Sequence, residues 1–121
     1  MLESWTDGFD PPLDLVHLAR QCLGDHELEA ELLQLFRLQA PALTARLSGS
    51  PPLSSDAKAK IAHTLRGSAL AVGAGRVAGA AWRIEELAST GGDQSSAEAY
   101  AIAALVSAVS EALTEIDRLR G

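Results

Sequence analysis

The chain has 121 residues and a net charge of −6, and 47% of its residues are hydrophobic while only 4% are aromatic. This length suits a single domain, and the abundance of leucine and alanine favours helices. A chain of this charge is a poor match for a phosphate backbone, which argues against nucleic acid as a partner. The single cysteine, Cys22, excludes an internal disulfide, offers no pair of metal ligands and is expected to be a small core residue.

Neither a targeting sequence nor a membrane span is expected. The N-terminal sequence M-L-E-S-W-T-D lacks the basic-then-apolar pattern of a secretion signal. No run of 18 apolar residues is apparent, so no transmembrane helix is predicted. We therefore expect a cytoplasmic protein. We also expect the protein to be a monomer.

Five helices are predicted after a flexible lead. The lead covers residues 1–12, which contain a glycine and two adjacent prolines, and residues 13–121 form the folded domain. The helices run from Asp14 to about Leu23, from Asp25 to about Leu47, from Ser54 or Ser55 to Gly73 or Gly75, from Arg76 to Ser89, and from Ser95 or Ser96 to about Arg120. Four long helices with short loops, and no strand pattern, predict an all-α antiparallel four-helix bundle with the short first helix across one end.

Two residues of the second predicted helix are unusual. Pro41 removes a backbone donor and is expected to bend the helix near Arg37. Gln39 falls within the apolar stripe of the same helix. Its amide either bonds the carbonyl freed by the proline or makes a polar contact near the functional site.

The third predicted helix carries an outward histidine opposite a well-formed apolar face. At about 100° per residue, the apolar face contains Ile61, Leu65, Ser68, Ala69 and Val72. His63 points the other way and is flanked by Lys60, Arg66 and Gly67, three or four residues distant. In an acidic chain these two cations are a local exception. Leu70 and Ala74 continue the outward face, which gives it an apolar rim suited to docking.

The segment His63–Ala74, H-T-L-R-G-S-A-L-A-V-G-A, resembles the motif of the histidine phosphotransfer (HPt) domain family. That motif is His, any residue, Leu, Lys, Gly, two small residues, and then Gly-Ala after a short gap. The matching residues are His63, Leu65, Gly67, Ser68, Ala69, Val72, Gly73 and Ala74. Arg66 stands where the family usually has Lys, which preserves the charge. Upstream, Leu23-Gly24-Asp25, Leu32, Leu35-Phe36 and Gln39 resemble the segment that precedes the motif in the family.

The resemblance implies a carrier in a bacterial-type two-component phosphorelay. His63 would hold a phosphoryl group on Nε2 and exchange it with aspartates on receiver domains of response regulators or hybrid histidine kinases. Arg66 and Lys60 suit the charge of the phosphoryl oxygens, and Gly67 would leave room for the partner. The sequence has no nucleotide-binding loop, so we expect no kinase or other enzyme activity, no cofactor and no metal site, with Mg²⁺ supplied by the receiver.

The remaining candidate residues have weaker contexts. His17 and His26 lack comparable neighbours and are expected to be ordinary surface residues. Trp82 falls off the apolar stripe of its helix and either caps the bundle edge or joins a docking surface. Glu85 and Glu86 are expected on a solvated face, although Glu85 falls near the seam between helices.

Two other functions fit parts of the pattern. A helical adaptor that binds a receiver or kinase without carrying phosphate would need the bundle and the apolar rim but not His63. The dimerisation part of a histidine kinase would contain two long helices followed by an ATP-binding domain, a less good match to this chain.

Overall fold

A computed structural model of the chain describes residues 11–92 and 95–120, and in these ranges the chain forms five helices and no strand. The helices are α1 (Leu15–Gln21), α2 (His26–Ser48), α3 (Ser55–Val72), α4 (Gly75–Thr90) and α5 (Ser95–Arg120). The predicted all-α class is confirmed, and the helix limits lie close to the predicted ones. The first ten residues of the predicted flexible lead lie outside the described residues, so its flexibility stays a prediction.

Short polar side chains set the start of three helices. The carboxylates of Asp14 and Asp25 and the hydroxyl of Ser54 each accept a hydrogen bond from a backbone N–H in the first turn of the following helix. Such caps satisfy donors that have no partner within the helix. The two aspartate caps read from the sequence are therefore confirmed, and Ser54 rather than Ser55 is the cap of α3.

The four long helices enclose one core. Helix α3 packs against α2 and α4, and α5 packs against the same two helices, so the packing closes a ring. The largest fully buried side chains are Phe36, Leu18, Leu65, Ile84, Leu105, Ile116, Val72 and Val77. Cys22 is buried as expected, and this burial, together with nearby Glu29 and Asp25, raises the pKa of its thiol.

Ion pairs between side chains tie α5 to the three other long helices. The Arg37 guanidinium on α2 donates to both carboxylate oxygens of Asp117, with Arg37 Nε 2.6 Å from Oδ1. This hydrogen bonding, added to the positive charge of Arg37, lowers the pKa of Asp117. Lys58 Nζ on α3 lies 2.6 Å from the carboxylate of Glu98, and Arg76 on α4 pairs with Glu111.

The short helix α1 is fastened to the end of α3. The backbone N–H of Asp14 donates to the carbonyl of Gly73 over 2.8 Å. The imidazole Nε2 of His17 donates to the carbonyl of Leu70, also over 2.8 Å. His17 is half-buried at the surface, and its contact with a helix distant in sequence was not apparent from the sequence. His26 is exposed as predicted.

Gly73 ends α3 and reverses the chain. Its φ of +77° is left-handed, and a Cβ at this position would lie 2.6 Å from the backbone oxygen of Asp14. The helical periodicity stops at Val72, so Ala74 does not continue the outward face of α3. Ala74 is 0% exposed and precedes α4. The prediction that Ala74 belongs to the docking rim is therefore wrong.

Helix α5 contains a stretch that meets the length and composition of a membrane span. Its 18-residue window has a mean hydropathy of 1.4, and 33% of it is buried in the protein. The expectation of no membrane span rested on the absence of an uninterrupted apolar run, and it stays a prediction, because alanines raise the average of this window although serines interrupt the run. Core helices of soluble proteins meet the same criterion, and the buried residues of α5 recur on one face.

Alanine substitutions at two glycines of the α3 region should change stability in opposite directions. Gly73→Ala forces a Cβ into a left-handed conformation, at a cost of roughly 1–2 kcal/mol before the clash with Asp14 is added. Gly67→Ala meets nothing within 4 Å and should gain about 0.5–1 kcal/mol, because glycine is a poor helix former. Denaturant unfolding of both variants checks this, and a shift of the same sign in both would contradict it.

Candidate functional site

His63 lies on the solvent side of α3, as predicted. Its side chain is 64% exposed, while Ile61, Leu65 and Ala69 of the same helix are buried in the core. The helix is thus anchored by one face and presents the imidazole on the other.

Glu85 on α4 contacts the imidazole directly. Its Oε2 lies 3.0 Å from Nδ1 of His63. An ionised carboxylate only accepts hydrogen bonds, so Nδ1 carries the proton and donates it to this bond. The lone pair then resides on Nε2, which has no hydrogen-bond partner in the part of the chain that the structure describes. Glu85 therefore leaves Nε2 as the ring nitrogen with a free lone pair.

Arg66 stands beside the same pair. Its Nη2 lies 3.4 Å from His63 Nδ1, and its Nε lies 3.7 Å from Oε1 of Glu85. Because Nδ1 already donates to Glu85, the nearby guanidinium acts on the ring as a positive charge rather than as a second hydrogen-bonding partner. Oε1 of Glu85 is buried and makes no hydrogen bond, so Arg66 is its counter-charge at ion-pair distance.

Lys60 and Gly67 complete the surroundings of the histidine. Lys60 lines a shallow depression of about 430 Å³ together with Ala59, His63, Thr64 and Glu85. A Cβ on Gly67 would meet nothing within 4 Å, so the space there is open, as predicted. The structure therefore brings His63, Lys60, Arg66 and Gly67 to one face. Leu70 is exposed on the same helix, whereas Ala74 is not part of the site.

The side chain of Gln39 joins α2 to the histidine helix. The hydroxyl of Ser68, the residue after Gly67, donates to Oε1 of Gln39 over 3.3 Å. Of the two interpretations of Gln39, the structure supports a polar contact near the site rather than a bond to a freed carbonyl. Helix α2 continues through Pro41 to Ser48.

Glu85 is the site residue that the sequence analysis misplaced. It was expected on a solvated face, yet its carboxylate is largely buried between α3 and α4. Its position near the seam of the helical wheel was the available signal, but only the packing of α4 on α3 shows that His63 is the partner. Glu86, its neighbour, is exposed as expected.

The arrangement suits the transfer of an anionic group to a ring nitrogen. A neutral imidazole offers a lone pair at Nε2, and two cations lie on the same face to offset incoming negative charge. Among the described residues no group of three acidic, histidine or cysteine side chains could hold a metal ion.

Removal of the Glu85 carboxylate should change the tautomer of His63. In the Glu85→Ala variant the Nδ1 proton loses its acceptor, so a larger fraction of the neutral ring should carry the proton on Nε2. Imidazole ¹⁵N chemical shifts measured above the titration range report this fraction. Glu86→Ala is the matched control and should leave the shifts unchanged. An unchanged tautomer ratio in Glu85→Ala would show that the contact does not select the nucleophile.

A comparison with models of protein families identifies the family of this chain. The model of the Hpt domain family matches residues 31–120, which run from α2 to the end of α5. The searches of curated proteins and of solved structures found no match. The matched range covers well over half of the chain and contains every residue of the site around His63. The chain therefore belongs to the Hpt domain family.

Proposed function

We propose that this protein carries a phosphoryl group on His63 between receiver-domain aspartates of a bacterial-type phosphorelay. Membership of the Hpt domain family implies histidine phosphotransfer in two-component phosphorelays. The observation that supports His63 as the acceptor is its exposed imidazole. Its Nδ1 proton is held by the hydrogen bond to Glu85, and the lone pair of Nε2 is free. The closed ring of α2–α5 supports the antiparallel four-helix bundle of the proposal.

The transfer step follows from the tautomer. Nε2 of His63 attacks the phosphorus of an aspartyl phosphate in line with the leaving oxygen, the P–N bond forms and the P–O bond breaks. The partner's aspartate departs as a carboxylate, and Mg²⁺ held by the receiver would offset the charge of this leaving group. The His63 ring keeps its Nδ1 proton and gains positive charge, which the Glu85 carboxylate offsets at 3.0 Å. Return of the phosphoryl group reverses each bond change.

The two cations act on the transferred group. Arg66 has a planar guanidinium that can bond two phosphoryl oxygens at once, and it already lies beside the ring. Lys60 lines the depression in front of His63 and supplies a second, more mobile charge. Gly67 leaves the approach open for the partner.

The protein is a carrier without kinase activity, because the sequence has no nucleotide-binding loop. It needs no cofactor of its own, acts in the cytoplasm as a monomer, and binds neither nucleic acid nor membrane. The net charge of −6 supports the exclusion of nucleic acid. A non-phosphorylated adaptor is the alternative, and it makes a different prediction for His63.

His63→Gln separates the carrier from the adaptor. Incubated with a phosphorylated receiver domain and Mg²⁺, the wild type should gain one acid-labile phosphoryl group. The variant should gain none while keeping its helicity and receiver binding, since the side chain is exposed and supports no packing. Intact mass and acid lability measure the adduct. A label on the variant, or on His17 or His26 of the wild type, would refute the assignment.

Arg66 variants test the charge at the site. Arg66→Ala should slow transfer at least about tenfold, or shorten the life of the phosphohistidine, because one charge-assisted contact of about 1.5–3 kcal/mol is lost. Arg66→Lys keeps the charge and should retain most activity. Arg118→Ala, on the exposed side of α5, is the control and should transfer at the wild-type rate. If Arg66→Ala matches the wild type in both rate and lifetime, Arg66 has no part in the step.

A further inference from the structure

Trp82 is a large aromatic side chain left in solvent beside the histidine site. It lies on α4 and is 47% exposed, three residues before Glu85. Residues three apart on a helix are neighbours on one face, so the indole stands about one turn from the carboxylate that holds His63. A depression of about 390 Å³ is lined by Arg66, Trp82, Glu85, Glu86, Ser89 and Thr90.

This depression is continuous with the site of transfer. Arg66 and Glu85 line it, and both also contact His63. A specific interface covers about 800 Å² on each partner, far more than one imidazole. A partner that places an aspartate at Nε2 of His63 therefore covers neighbouring surface as well, and on the α4 side that surface is the depression beside Trp82.

The polar groups of the depression are mostly satisfied within the protein. The hydroxyls of Ser89 and Thr90 donate to the carbonyls of Glu85 and Glu86 on the preceding turn, over 2.9 and 2.7 Å. The indole N–H of Trp82 has no acceptor in the described ranges 11–92 and 95–120. The depression thus offers an aromatic face, a free N–H donor and a rim that carries the Glu86 carboxylate.

We propose that Trp82 is the docking anchor for the receiver domain that exchanges its phosphoryl group with His63. This inference rests on the proposed function. The receiver contributes an apolar side chain that packs on the indole ring and a hydrogen-bond acceptor for its N–H. Tryptophan is enriched among the few residues that dominate interface energies, because it buries a large area and retains a polar handle. Leu70, which lies toward α1, is on the other flank of the site.

Transfer kinetics test the anchor. With the receiver domain that phosphorylates the wild type fastest, Trp82→Ala should raise KM at least about tenfold and leave kcat within about twofold, because the anchor binds the partner but touches no reacting atom. Trp82→Phe keeps an apolar ring without the N–H, so its KM should lie between those of the wild type and Trp82→Ala. Val106→Ala on α5 is the matched control, since Val106 is also 47% exposed and lies on a helix without a site residue.

Fluorescence gives a second measurement that does not depend on a disruptive variant. The chain has two tryptophans, so Trp5→Phe leaves Trp82 as the sole indole. Titration with the receiver should shift its emission to shorter wavelength and saturate at the concentration range of KM. Dilution of the protein alone should not change the emission. A shift on self-association but none with receiver would assign this surface to a second copy of the chain and overturn the proposal.

The outcomes distinguish the anchor from the function on which it rests. If the wild type gains phosphate on His63 while Trp82→Ala shows an unchanged KM and the indole emission does not respond, the anchor is wrong and the carrier function stands. If the wild type gains no phosphate from any receiver of its source organism, the proposed function fails and the anchor fails with it. If Trp82→Ala loses helicity, Trp82→Phe and the fluorescence titration decide the matter.

Discussion

The site depends on the tight reversal of the chain at Gly73. A left-handed residue there, held against the backbone of Asp14, turns α3 directly into α4. His63 lies ten residues before this turn, about 15 Å along α3, and Glu85 lies twelve residues after it, about 18 Å along α4. In a helical hairpin, residues at similar distances from the turn come side by side. The reversal thus sets the register that places a carboxylate at the imidazole.

Close packing of α3 on α4 turns this register into a contact. Alanines that are almost fully buried, Ala62 and Ala69 on α3 and Ala78 and Ala81 on α4, line the two helices. Small side chains let helix axes approach, so a glutamate on one helix reaches a histidine on the other. The cost of burying part of the Glu85 carboxylate is offset by the Nδ1–H of His63 and by the charge of Arg66. The same three groups leave the Nε2 lone pair free and balance the charge around the ring.

The surface around His63 combines rigidity with access. The imidazole stands on a helix whose opposite face is in the core, and the Ser68–Gln39 hydrogen bond ties that helix to α2 one residue beyond the open space at Gly67. Phosphoryl transfer gains most from positioning, so a rigid acceptor with an open approach suits the chemistry of the family. Two exposed apolar side chains, Leu70 and Trp82, flank His63 on different sides.

By itself, the sequence determined the helices, their caps and the outward histidine with its cations and glycine. These features depend on residues three or four apart, and helical periodicity relates such residues without knowledge of the fold. The tertiary structure alone decided the partner of that histidine. Glu85 is 22 residues from His63, and no local pattern relates them, because the register of α4 on α3 follows from the turn and the packing. Ala74 failed as a rim residue for a local reason: Gly73 ends the helix, so the helical wheel no longer applies at Ala74. The hydrogen-bond partners of His17 and Gln39 also lie on another helix: His17 donates to the carbonyl of Leu70, and Gln39 accepts from the hydroxyl of Ser68. Such contacts are set by how helices pack, whereas the periodicity of each segment reports only which of its faces turns inward.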